Sequence, residues 1–116
     1  MLAKLGARVH SVDRSPIDPR LLARPNVEFK TGNAFTLKPG DFGDLDSFCC
    51  DVICNPAKLW AWLEPWLAEG SVKHFVVTVK MKGDDIDWET LDRFAAVPRS
   101  RLLHLHHNKH ELTWLL

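Results

Sequence analysis

A chain of 116 residues, 46% of them apolar, has room for one real core, and at this size it is only moderately stable by surface-to-volume scaling. Fifteen Lys and Arg against fifteen Asp and Glu leave no net charge, which excludes attraction of nucleic acid over the whole surface; such a partner needs a local patch. No run of about 18 apolar residues exists to span a membrane, and Met1–His10 lacks the apolar centre of a secretion signal, so a cytoplasmic protein is expected.

Met1 to Gly6 resembles the last turn of a helix stopped by glycine. Ala7 to Asp13 (ARVHSVD) alternates as a strand and finishes on an acid. Arg14 to Arg24, with Pro16, Pro19 and Leu21-Leu22, predicts a turn holding one helical turn. Val27 to Lys30 is a short strand that leaves through the loop Thr31–Ala34, and Phe35 to Asp46 is polar and rich in turn formers. Ser47 to Cys54 then reads as a mostly apolar strand carrying one carboxylate, Asp51, towards its end. Asn55-Pro56 stops it, and Pro56 suits the first turn of a helix over Ala57 to Leu67, with Leu59, Trp60, Leu63 and Leu67 at helical spacing. Cys49, Cys50 and Cys54 are an odd number on that one strand, which predicts small buried apolar groups in a reducing compartment rather than a disulfide framework.

After Gly70-Ser71, Lys73 to Met81 is dense in β-branched residues and predicts a buried strand. Trp88 to Val97 predicts a helix capped by Asp85 or Asp87 and ended by Pro98. Arg101–His107 and Glu111–Leu116 predict two strands joined by a tight connection near Asn108-Lys109. The order implies a doubly wound α/β arrangement, mostly parallel, with a C-terminal antiparallel hairpin.

Three ionisable residues fall at comparable places. Asp51 and Lys80 lie near the carboxyl ends of consecutive parallel strands, and Glu111 opens the antiparallel last strand, so all three can meet at one sheet edge. There a lysine between two carboxylates could deprotonate a hydroxyl, or hold it and stabilise the developing alkoxide. The competing reading is an ion pair with solvated strand ends. Asp13 could accept hydrogen bonds from ribose hydroxyls or simply start a turn, and Asn33 could read an adenine edge or be an ordinary loop residue. His104, His106, His107 and His110 invite a metal site, but no thiolate or carboxylate has zinc spacing nearby, and no metal is expected. Trp60, Trp62 and Trp66 could stack bases; core packing is the expected role for Trp60 at least.

With these residues placed, the chain resembles the FtsJ-like ribose 2′-O-methyltransferases, and among them the RlmM-like branch that modifies a cytidine of large-subunit ribosomal RNA. CDVICNPAKL (Cys50–Leu59), VTVKMK (Val77–Lys82) and HNKHELTWLL (His107–Leu116) carry the resemblance, with VHSVD (Val9–Asp13) and TGNAFTLKP (Thr31–Pro39) as weaker likenesses. It implies a partial Rossmann-like methyltransferase fold, S-adenosylmethionine as cofactor and ribosomal RNA as substrate. It also implies that Asp51, Lys80 and Glu111 are the last three members of a Lys-Asp-Lys-Glu tetrad in which Lys80 activates the ribose 2′-hydroxyl. Asp13, Asn33 and Asp51 would contact the cofactor, Asn33 standing where the family has an acid. The tetrad's first lysine and the glycine-rich cofactor loop would precede Met1. Residues 1–116 are therefore expected to form a single, N-terminally truncated domain, inactive as it stands and able to self-associate through unpaired strand edges. The alternative is a non-catalytic α/β remnant that binds RNA or protein, or oligomerises.

Overall fold

A computed structural model describes residues 1–116, which divide into two compact bodies, 1–37 and 38–116. The first begins with a 3-10 turn, Leu2–Leu5, closed by Gly6 in the left-handed conformation (φ 88°) that favours glycine. Strand β1 (Val9–Asp13) pairs in parallel with β2 (Val27–Thr31), and the link between them contains the short helix α1 (Pro19–Leu22). The Asp18 side chain caps α1 by accepting from the Arg20 N–H at 2.8 Å. The Asn26 amide donates to the carbonyls of Ala3 and Ala7, both at 2.8 Å, and ties the opening turn to the sheet.

Residues 38–116 form a four-stranded sheet of order β3-β4-β6-β5, with β3 (Leu45–Cys50), β4 (Val72–Lys80), β5 (Arg101–Leu103) and β6 (Glu111–Leu115). Strands β3 and β4 are parallel, whereas β6 runs antiparallel to both β4 and β5. The expected parallel majority thus holds for strand direction but not for pairing, and the architecture is α/β with a mixed sheet. Helices α2 (Pro56–Glu69) and α3 (Trp88–Ala96) supply the cover. Asn55 caps α2 by accepting from the Lys58 N–H at 2.8 Å, and Asp87 caps α3 through the Thr90 N–H at 3.0 Å. Of the two caps expected for α3, Asp87 is the one used. Pro65 sits inside α2 at an exposed position, where water can satisfy the carbonyl that a proline cannot reach.

The core lies on one face of the sheet. Phe75, Val77 and Val79 of β4 and Trp114 of β6 are at most 2% exposed, and Leu59, Leu63 and Trp66 of α2 with Leu91 and Phe94 of α3 close over them. Phe48, Phe75, Trp114 and Phe94 form a chain of ring contacts with centroids 5.3–5.8 Å apart, and the Trp114 indole N–H donates to the Phe94 carbonyl at 3.0 Å.

Several expectations change. The central strand begins at Leu45, earlier than expected, and ends at Cys50, so Asp51 stands just beyond it, where a carboxylate keeps its water. Strand β4 is buried on one face only: Val76, on the other, is 42% exposed, because both long helices lie on the Phe75 side. Within this body the sheet is therefore covered by helices on one side and is not doubly wound. The last connection is not tight, since β5 stops at Leu103 and residues 104–110 carry the chain to β6.

Candidate active site

Strand alternation turns Lys80, the last residue of β4, to the face opposite Phe75, Val77 and Val79. Two acids meet it there. Asp51 brings Oδ1 to 2.8 Å from Lys80 Nζ. Glu111, the first residue of β6, is the register partner of Lys80. The Met81 N–H donates to the His110 carbonyl at 2.8 Å on the neighbouring rung, so Lys80 and Glu111 form a non-hydrogen-bonded pair. Side chains in such pairs stand closest, with Cβ atoms roughly 4.5–5.5 Å apart. Asp51, Lys80 and Glu111 therefore come together at one edge of the sheet.

The hydrogen bond to Asp51 holds the Lys80 pKa above its ordinary 10.5; burial opposes this, and the charges of Asp51 and Glu111 add to it. Lys80 is an ammonium at neutral pH. It can donate hydrogen bonds and stabilise a developing negative charge, but it has no lone pair with which to take a proton. The lysine side chain is 26% exposed and that of Asp51 72%, so the acid is the partner in fuller contact with solvent.

The neighbouring thiols are inert. Burial pushes Cys50 up to about 11 and raises Cys54 as well, leaving both neutral at pH 7. Cys49 is exposed rather than buried, because it shares the open face with its register partner Val76.

Two further sequence candidates, Asp13 and Asn33, belong to the body formed by residues 1–37. Asp13 ends β1, and its Oδ1 accepts from the Ser15 N–H at 2.9 Å, the turn-starting role. Asn33 follows β2, and its Oδ1 accepts from the Phe35 N–H at 3.1 Å. Both lie at the carboxyl ends of a parallel pair, where the Gly32 N–H donates to the Asp13 carbonyl at 2.8 Å. Of the tryptophans, Trp66 is 1% exposed and packs on Phe48, while half-buried Trp60 meets Phe94 edge to face at 5.0 Å. The histidines line the β5–β6 connection, with His106 and His107 edge to face at 5.0 Å.

One feature escapes a reading of the sequence. A cleft of about 570 Å³ opens beyond Lys80, between the residues after β4 and the starts of α2 and α3. Trp88 lines it and is 66% exposed. Its only signal in the sequence is a tryptophan at the first helical position, directly after the cap Asp87.

No helix is long and apolar enough to cross a membrane. No family model matches the chain. Curated proteins do. The chain is 30% identical over 120 residues, 97% of its length, to the ribosomal RNA large subunit methyltransferase M of Xylella fastidiosa (strain M12). It is 26% identical over 99% of its length to that of Aromatoleum aromaticum, and 28% over 97% to that of Pseudomonas putida (strain W619). It spans about a third of the length of these relatives: 34%, 33% and 34%. The chain is thus RlmM-like, related along nearly its whole length to a third of the ribosomal RNA large subunit methyltransferase M proteins.

Proposed function

We propose that this chain carries the hydroxyl-activating part of an S-adenosylmethionine-dependent ribose 2′-O-methyltransferase, on a Rossmann-like fold, acting on large-subunit ribosomal RNA in the cytoplasm. The observation that supports it most is an ammonium, Lys80, held 2.8 Å from Asp51 and opposite Glu111 at the edge where β3 and β4 end.

In this reading Lys80 donates to the ribose 2′-oxygen and stabilises the charge that develops on it. Asp51 accepts the hydroxyl proton and returns it to water through its exposed side. Glu111 keeps the ammonium charged and oriented. S-adenosylmethionine, when bound, would supply an electrophilic sulfonium methyl to the ribose oxygen, with its thioether as the leaving group. Asp13 and Asn33 fit the cofactor's nucleoside end by donor chemistry: one carboxylate oxygen of Asp13 beyond its turn bond can accept from a ribose hydroxyl, and the Asn33 amide can pair with an adenine edge.

The test is a chimera in which this chain replaces the matched stretch of the Xylella fastidiosa relative. It should methylate unmodified large-subunit ribosomal RNA. Lys80→Ala in that chimera should lower the rate by at least about a hundred-fold, with S-adenosylmethionine affinity by calorimetry nearly unchanged. Methylation at the parent rate would refute the role given to Lys80.

A further inference from the structure

The cleft beyond Lys80 has a composition that the hydroxyl chemistry does not use. Met81 and Lys82 continue directly from Lys80, and Asn55, Pro56 and Ala57 follow Asp51 by a few residues. The opposite wall is Asp85 to Glu89, the approach to α3 and its first turn. Its volume of about 570 Å³ falls in the range of small-ligand sites.

Charge decides what kind of ligand suits it. Three carboxylates and one ammonium line the walls, which suggests an acidic pocket. Two of the carboxylates are already engaged: Glu89 pairs with Arg93 at 2.7 Å, and Asp87 caps α3 through Thr90. Lys82 and Asp85 then balance each other, and the remaining surface is Pro56, Ala57, Met81, Ile86 and Trp88. A phosphate would meet more negative than positive charge here. A flat, uncharged ring would meet an apolar wall, an indole and a few polar groups.

Trp88 gives the second observation. A tryptophan 66% exposed forgoes most of the burial that ordinarily places this side chain in a core, as Trp66 and Trp114 are placed, at 1% and 0%. Exposed aromatic side chains of this kind are what unstacked bases of single-stranded RNA stack on.

We propose that this cleft binds a nucleobase of single-stranded RNA, stacked on Trp88, next to the ribose served by Lys80. Trp88 is then a positioning residue that sets which nucleotide reaches the lysine. The proposal rests on the reading of Lys80 as the residue that activates a ribose hydroxyl.

The test uses the full chain and a six-nucleotide unmodified single-stranded RNA carrying a fluorescent end label, with binding read by anisotropy. Trp88→Ala should weaken binding by about 5- to 100-fold, the span produced when a base-stacking aromatic is truncated. Trp88→Phe should restore most of it, and circular dichroism should show both variants folded. A probe made abasic at every position should bind parent and Trp88→Ala alike. Equal affinity of parent and Trp88→Ala for the intact probe would overturn the proposal, as would a parent chain that does not bind it. Stacking can be upheld while the Lys80→Ala chimera methylates normally; that outcome sinks the catalytic role of Lys80 and leaves the base site standing.

Discussion

Asp51→Asn keeps the shape of the side chain and removes its charge, and the structure assigns very different sizes to the two consequences. The Lys80–Asp51 pair is 2.8 Å long, yet the acid is 72% exposed. Exposed pairs contribute about 0.2–1 kcal/mol to stability, so the thermal midpoint should fall by no more than a few degrees. In the chimera the same change removes the proton acceptor of the proposed reaction, a loss of about 10²–10⁴ in rate. Lys80 itself supplies a readout that needs no activity. Its raised pKa is caused first by the Asp51 hydrogen bond, with Glu111 acting through charge alone. NMR titration of the Lys80 side chain should therefore show its midpoint fall towards 10.5 in Asp51→Asn, and fall less in Glu111→Gln. A lysine whose pKa is raised by folding contributes stability that is complete below the unfolded value and is lost as pH climbs through the folded one. The stability difference between parent and Asp51→Asn should accordingly be constant at neutral pH and vanish above the Lys80 midpoint. An unchanged Lys80 titration in Asp51→Asn, or a larger shift in Glu111→Gln, would refute the pairing.

Trp114→Ala should destabilise the chain by about 3–5 kcal/mol in urea unfolding, because the ring is 0% exposed, packs on Phe75 and Phe94, and donates to the Phe94 carbonyl. Asn55→Ala should cost about 1 kcal/mol in the same assay, since it frees the Lys58 N–H at the start of α2; no change would mean the cap is not used in solution.

What the sequence made legible was mostly local. Asn55-Pro56 marks the start of α2, the αL glycine at position 70 (φ 76°) its end, and the β-branched run Val76–Val79 the middle of β4. The convergence of Asp51, Lys80 and Glu111 was legible as well, because it needs only two parallel strands and one reversed strand to bring three chain positions to the same edge. Long-range choices were not. Nothing local in Leu45-Asp46 says that these residues pair with β4; the Leu45 N–H finds the Ser71 carbonyl at 2.8 Å, a partner 26 residues away. Nor does β-branching report which face is covered, so Val76 and Cys49 were assigned to an interior they do not enter. Trp88 was legible only as the start of a helix, and the fold alone shows that it stays 66% exposed.

The even charge of the whole chain conceals an uneven one. Residues 1–37 hold six Lys and Arg against three Asp and Glu, and residues 38–116 hold nine against twelve. The body that carries Lys80 is therefore acidic, and it repels a polyphosphate backbone at long range. Whatever affinity this body has for RNA must come from short-range contacts, and the Trp88 cleft offers an indole and apolar side chains for them. Backbone attraction follows the counterion-release law and steepens with each phosphate neutralised, whereas stacking carries little such dependence. A site built in this way favours nucleotides that are already unstacked, because a paired base cannot reach the indole without first leaving its helix. In the proposed reading, selection for exposed nucleotides and the placement of Lys80 at the neighbouring ribose would be one arrangement: the base that fits the cleft would fix the sugar that meets the ammonium.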